Sequence, residues 1–319
     1  MSDFAENNQT QLAFIFPGQG SQSIGMLSDF SELAEIKQTF QQASDVLGYD
    51  VWQLCQNGPE EKLNQTDKTQ PVLLTASVAL WRLWQSKLDK LPTIVAGHSL
   101  GEYSALVCAG ILDFEQGLKL VEQRGLFMQQ AVPAGVGKMA AIIGLDDDKV
   151  QTACDVSAQN EIVSPVNYNS PGQIVIAGNA AAVDRAMIAC KECGAKRALP
   201  LTVSVPSHSH LMKPASEQLE QVLNSVTLNE SNISVVNNEG VTIETHADKI
   251  KQALVRQLYC PVRWSEIITF IAKKGVKCFV ECGPGKVLSG LNRRIDRSLT
   301  SYHTCQLEAL NQAVEALGE

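Results

Sequence analysis

Ser99 stands between two glycines, in Gly97-His98-Ser99-Leu100-Gly101, with the apolar run Thr93-Ile94-Val95-Ala96 before it and helix formers from Glu102 onward. That order predicts a buried strand, a sharp turn and a helix that Gly110 stops. A serine on so tight a turn is held in a strained backbone conformation, its hydroxyl pointing out beyond the sheet. Side chains at the two flanking positions would clash with neighbouring elements, so glycine fits there. The new helix aims free N–H groups and its positive dipole end at the same point, which favours developing negative charge. The chemistry this suits is nucleophilic attack by an alcohol. An alcohol needs a base, and the chain has five histidines. His208, in Pro206-Ser207-His208-Ser209-His210, is the expected one, because imidazole is neutral and accepts a proton near pH 7. Taken without Ser99, the same stretch reads as surface histidines on a polar turn. His98, next to the serine, is expected to turn away and support the structure. His246 and His303 have no company suggesting chemistry.

Arg124 is the third residue of interest. Gly117, Val121, Arg124 and Met128 fall on one helical face, at spacings of four, three and four, so the guanidinium lies in an apolar seam. A buried cation needs an anion. Two readings stand level at this point: an internal salt bridge to an Asp or Glu, or a bidentate fork for a substrate carboxylate. Cys190-Lys191-Glu192-Cys193 matches a redox or zinc spacing. It falls at the end of an expected helix where no dipole would activate a thiol, and it has no second pair, so two ordinary thiols are expected.

These residues need elements to position them. At 319 residues the length suggests about two domains, and 45% apolar residues suit a globular protein. The net charge of −8 argues against non-specific nucleic-acid binding, without excluding a local basic patch. No apolar run is long enough to span a bilayer, and Met1 to Thr10 lacks the basic and apolar regions of a signal peptide, so a cytoplasmic protein is expected. Nine cysteines, an odd number, suit a reducing compartment.

In chain order, Gln11 to Phe16 is an expected strand running into the glycine-rich turn Pro17-Gly18-Gln19-Gly20. Ser28 to Leu47 is an expected helix capped by Gly48, and a further helix opens at Pro71. Asp113 starts the helix that carries Arg124. From Lys138 the pattern is β-α-β-β-α-β: Met139–Leu145, Asp146–Ala158, Glu161–Tyr168, Gln173–Gly178, Ala180–Cys193 and Arg197–Val205. That is the ferredoxin-like order, inserted as a compact lobe. Beyond it, Asn232–Asn237 and Lys277–Cys282 are expected strands. Asp248–Tyr259, Trp264–Lys274 and Val287–Asp296 are expected helices. The turn Gly283-Pro284-Gly285-Lys286 lacks the pattern of a nucleotide-phosphate loop. The division is therefore 1–132 with 206–319 as one discontinuous domain, and 133–205 as the insert.

Taken together, Gly18-Gln19-Gly20-Ser21-Gln22, Gly97-His98-Ser99-Leu100-Gly101-Glu102-Tyr103, Gln123-Arg124-Gly125, Val205-Pro206-Ser207-His208 and Arg256-Gln257-Leu258-Tyr259 closely resemble the bacterial malonyl-CoA:acyl carrier protein transacylases of type II fatty acid synthesis. The resemblance implies an α/β fold, with an α/β-hydrolase-like large domain and an inserted ferredoxin-like small one. It implies that Ser99 takes malonyl from coenzyme A as a seryl ester and passes it to the phosphopantetheine thiol of acyl carrier protein, a transient partner. His208 would be the base, oriented by a backbone carbonyl near Gln257. The backbone N–H groups of Gln19 and Leu100 would form the oxyanion hole, and Arg124 would hold the malonate carboxylate. No metal and no cofactor beyond the coenzyme A thioester substrate is implied, and a monomer is expected. His210 and Cys260 depart from the family's commoner residues without touching this chemistry. An acidic carrier would need a cationic face, for which Lys286, Arg293 and Arg294, with Lys196 and Arg197, are the candidates; ordinary solvated charges are the alternative. Two other functions fit the same residues: a serine thioesterase or esterase with water as acceptor, and a non-catalytic protein that only docks the carrier.

Overall fold

The computed structural model describes residues 12–133, 135–202 and 205–318. The chain runs β1 (Leu12–Phe16), α1 (Ala34–Leu47), α2 (Val51–Asn57), α3 (Glu60–Leu63), α4 (Thr66–Lys87), β2 (Ile94–Gly97), α5 (Gly101–Cys108) and α6 (Phe114–Ala131). It continues through β3 (Gly137–Ile143), α7 (Asp147–Ala158), β4 (Val163–Ser170), β5 (Gln173–Asn179), α8 (Ala180–Glu192) and β6 (Arg197–Pro200). It then returns through α9 (Lys213–Asn224), β7 (Ser234–Val236), α10 (Ala247–Gln257), α11 (Trp264–Lys273), β8 (Cys278–Glu281), α12 (Val287–Ile295), β9 (Thr300–His303) and α13 (Leu307–Gly318).

Two sheets organise these elements. The first has the order β7-β2-β1-β8-β9 and is parallel throughout. β1 and β2 are apolar at every position because helices cover both faces: Phe14 and Phe16 pack toward Trp81 and Trp84, and Ala13 and Ile15 toward Trp264 and Ile267. The second sheet has the order β4-β5-β3-β6 and is antiparallel. One of its faces packs Ile142, Ile174 and Ile176 on α7 and α8, while Met139, Val166 and Val175 belong to a separate cluster. The antiparallel sheet is tied to the segment between α10 and α11 where Tyr168 N–H donates to the Val262 carbonyl at 2.9 Å and Val262 N–H to the Val166 carbonyl at 2.8 Å.

Several element boundaries differ from expectation. Ser28–Phe30 is a single 3₁₀ turn, and the helix proper starts at Ala34. α4 begins at Thr66, so Pro71 lies inside it. A proline in a helix interior costs about 3 kcal/mol, which burial of Val72, Leu73 and Leu74 outweighs at about 1.5–3 kcal/mol each. β6 ends at Pro200 on the sheet edge, where a proline takes nothing from the ladder, and one further hydrogen bond runs from Leu201 N–H to the Met139 carbonyl at 2.9 Å. Residues 203 and 204 of that expected strand, and Met1 to Gln11, lie outside the described residues. β9 and α13, which the pattern did not single out, add an edge strand and a covering helix. The Asp113 carboxylate accepts from the N–H groups of Glu115 and Gln116, and Gly48 ends α1 in the left-handed conformation, both as the sequence indicates.

Candidate active site

Everything of chemical interest gathers at the carboxyl ends of β1, β2 and β7. β2 ends at Gly97 and α5 begins at Gly101, so Ser99 sits at the apex of a three-residue turn with φ 54°. The turn is this tight because its glycines touch backbone. A Cβ on Gly97 would lie 1.8 Å from the Gly101 carbonyl carbon, and one on Gly101 would lie 2.1 Å from the Phe16 carbonyl oxygen. His98 N–H donates to that Phe16 oxygen at 2.9 Å, pinning the turn to β1. From the turn just past β7 comes Asn238, fully buried. Its Oδ1 accepts from Ser99 N–H at 2.7 Å and its Nδ2 donates to the Gly97 carbonyl at 2.7 Å. That amide closes the turn like a clasp and offsets the strain of a non-glycine residue at positive φ.

His208 approaches from the loop after β6, itself at φ 64°, with its N–H on the Leu258 carbonyl at 3.0 Å. Its Nδ1 lies 2.6 Å from the Gln257 backbone oxygen and its Nε2 2.7 Å from Ser99 Oγ. A carbonyl only accepts, so Nδ1 carries the proton and Nε2 presents its lone pair to the serine hydroxyl. Burial, and then the nearby Arg124 charge, push the imidazole down to about 3, so it is neutral and ready to take a proton.

Arg124 is 1% exposed. Its Nη1 donates to Gln70 Oε1 at 2.7 Å and its Nη2 to Gln257 Oε1 at 3.1 Å, while the guanidinium carbon lies 5.3 Å from the Tyr103 ring centre. Among the described residues no carboxylate comes within ion-pair distance of it, and its Nε is buried without a partner. The internal salt bridge that the sequence left open is therefore absent. A buried cation held only by neutral amide oxygens keeps its charge available to an incoming anion. Arg124, Ser99, His208, Gln19 and Leu100 line one cleft with Met139, Asn167 and Leu201 of the antiparallel sheet's lobe. Among the described residues, neither the Gln19 nor the Leu100 backbone N–H has a hydrogen-bond acceptor. Leu100 lies at the N-terminus of α5.

His98 also lines this cleft, and the remaining candidates lie elsewhere. Lys286, Arg293 and Arg294 are exposed on and just before α12, outside the cleft, and Arg294 donates to Gln173 of the small lobe. His98 faces away from Ser99, with Nε2 2.8 Å from Asn169 Oδ1 and its ring tilted against Trp264. Cys190 is buried and Cys193 exposed, and all nine cysteines are free thiols. Sequence reasoning missed Gln70, Glu102 and Asn238. Asn238 follows an apolar strand at the same sheet edge as Ser99, which is a usable signal; Gln70 and Glu102 sit on helices whose facing partners only the fold supplies.

The acyl transferase domain model matches residues 13–309. The chain is 56% identical over 306 residues to the malonyl CoA-acyl carrier protein transacylase of Salmonella typhimurium, covering 96% of this chain and 99% of that one. It superposes with TM-score 0.93 on an acyl carrier protein S-malonyltransferase from Vibrio cholerae, at 57% identity over 95% of this chain and 99% of that one. It also superposes with TM-score 0.95 on a malonyl-transacylase solved in complex with the holo acyl-carrier protein of a type II PKS, at 56% identity over 96% and 99% of the two chains.

Proposed function

Because the chain belongs to the acyl transferase domain family, we propose that it moves a malonyl group from malonyl-CoA, through an ester on Ser99, to the phosphopantetheine thiol of acyl carrier protein, supplying fatty acid elongation. The observation that carries the reading is the pairing of a hydrogen-bonded Ser99–His208 dyad with a buried, acid-free guanidinium in the same cleft.

His208 Nε2 takes the Ser99 proton as Oγ attacks the thioester carbonyl. The oxyanion that forms is met by the backbone N–H groups of Gln19 and Leu100, each such donor being worth about 3 kcal/mol of transition-state stabilisation. The tetrahedral intermediate collapses, the C–S bond breaks, and the coenzyme A thiol leaves with the proton from His208. The carrier's thiol then gives its proton to His208 and attacks the seryl ester by the reverse path. A carbonyl is a weaker partner for an imidazolium than a carboxylate. It suffices here because a thiol of pKa about 8.5 leaves far more readily than an amine. Arg124 accepts the malonate carboxylate, fixing the acyl group with its carbonyl at Ser99. No cofactor is required beyond the thioester substrate itself.

The lobe that covers the cleft is read as ferredoxin-like, inserted at 133–205 into an α/β-hydrolase-like domain of 1–132 and 206–319; the strand order β4-β5-β3-β6 supports this. Lys286, Arg293 and Arg294 are the candidate docking face for the acidic carrier. The protein acts as a monomer in the cytoplasm, the compartment that nine free thiols suit. Mixing the protein with malonyl-CoA, with and without holo carrier, tests the assignment. Malonyl-carrier should accumulate with little hydrolysis in the carrier's absence; rapid carrier-independent hydrolysis would make it a thioesterase, and failure to react at all would leave only a docking role.

A further inference from the structure

Glu102, the second residue of α5, is 2% exposed beneath the serine turn, and the acyl transfer just described does not use it. Its Oε2 accepts two hydrogen bonds, from Gln257 Nε2 at 2.8 Å and from the backbone N–H of Asn238 at 3.0 Å. Both donors belong to residues that hold reacting groups. The Gln257 amide nitrogen has two protons, one on Glu102 and the other on the Ser99 carbonyl at 3.0 Å. With both engaged on that side, the amide oxygen is left to face Arg124 Nη2. Turned over, the amide would set its NH₂ against the guanidinium, donor against donor, and its oxygen against a carboxylate.

We propose that Glu102 is a positioning residue that sets the preference for a carboxylate-bearing acyl group, by fixing the Gln257 amide that aims Arg124. The inference rests on Arg124 taking the substrate carboxylate. Its physical logic lies in the spacing. A carboxylate touching Arg124 directly would occupy the fork and compete with malonate. Placed one amide away, Glu102 stabilises the buried cation through space and leaves the guanidinium edge open. Burial pushes the Glu102 carboxyl up to about 7, against the pull of Gln257, Asn238 N–H and Arg124; Oε2 remains an acceptor in either protonation state, since the other oxygen can hold the proton.

The test compares acylation of Ser99 by malonyl-CoA and by acetyl-CoA in the full chain, with kcat and KM for each. Glu102→Gln keeps an acceptor at that point, Glu102→Met keeps the approximate volume without one, and Arg124→Ala is the reference. For Glu102→Met, KM for malonyl-CoA should rise and the malonyl-over-acetyl preference should shrink, each about tenfold, while Glu102→Gln keeps most of the preference. Should Glu102→Met fail to fold, Glu102→Asp withdraws the acceptor by one methylene and should narrow the preference in the same direction. Equal losses on the two substrates, or an unchanged preference, would overturn the role. If Arg124→Ala also keeps the preference, the carboxylate reading itself has failed; if Arg124→Ala loses it while the Glu102 variants do not, only the present inference falls.

Discussion

Arg124→Ala removes the one cation lining the cleft among the described residues. In the intact protein a malonate carboxylate would accept two charge-assisted hydrogen bonds from a guanidinium that is already desolvated, at about 1.5–3 kcal/mol each. The alanine variant offers that carboxylate only the Gln70 and Gln257 amides, so about 4 kcal/mol of transition-state binding is at stake, or about a thousandfold in kcat/KM for malonyl-CoA. Acetyl-CoA has no carboxylate and should lose only a few fold. Stability should change little. Two amide oxygens lose a donor at about 1–3 kcal/mol each, but the desolvation cost of a lone buried charge, of similar size, disappears with them. Arg124→Lys should fall between, since one ammonium cannot form the fork. Steady-state kinetics with both thioesters, beside a thermal melt, checks each part. Equal losses on malonyl-CoA and acetyl-CoA would refute the carboxylate assignment.

Asn238→Ala leaves Ser99 N–H and the Gly97 carbonyl without their partners, so urea unfolding should show a loss of about 2–4 kcal/mol, and kcat should fall for both thioesters alike. His208 has a folded pKa of about 3 against 6.5 for an exposed ring, so the unfolded chain binds the extra proton first as pH falls. Stability should therefore hold above about pH 6.5 and decline below it. Urea midpoints at about pH 8 and about pH 5 should show a smaller acid loss in His208→Gln than in the parent. Charge reversal at Arg293 and Arg294 should raise KM for the carrier about tenfold and leave self-acylation by malonyl-CoA unchanged, as measured by separating the two half-reactions.

What the sequence made legible was what short-range geometry dictates. Gly97 and Gly101 could be read because a tight strand-to-helix turn excludes a Cβ there, and Arg124 because helical spacing placed it among Gly117, Val121 and Met128 without an evident partner. The β-α-β-β-α-β alternation from Gly137 to Pro200 was plain from its apolar periods, and the structure has those elements in that order. Whether Arg124 met an acid or a neutral amide was not legible from the residues. That depends on Gln70 and Gln257, which lie 54 and 133 residues away along the chain. Glu102 escaped for the same reason, and for Asn238 the place just past an apolar strand was a signal, but its clasp on the Ser99 turn is a tertiary contact. Pro71 misled because proline usually opens a helix, and here the surrounding apolar burial outweighs its cost inside one.

The central claim is that Ser99 carries the acyl group between two thiols. Brief exposure to malonyl-CoA, followed by peptide mass spectrometry, should place a single malonyl adduct on Ser99. The adduct should be missing from Ser99→Ala and should be discharged when holo carrier is added. An adduct on any other residue, or one that the carrier leaves in place, would contradict the account.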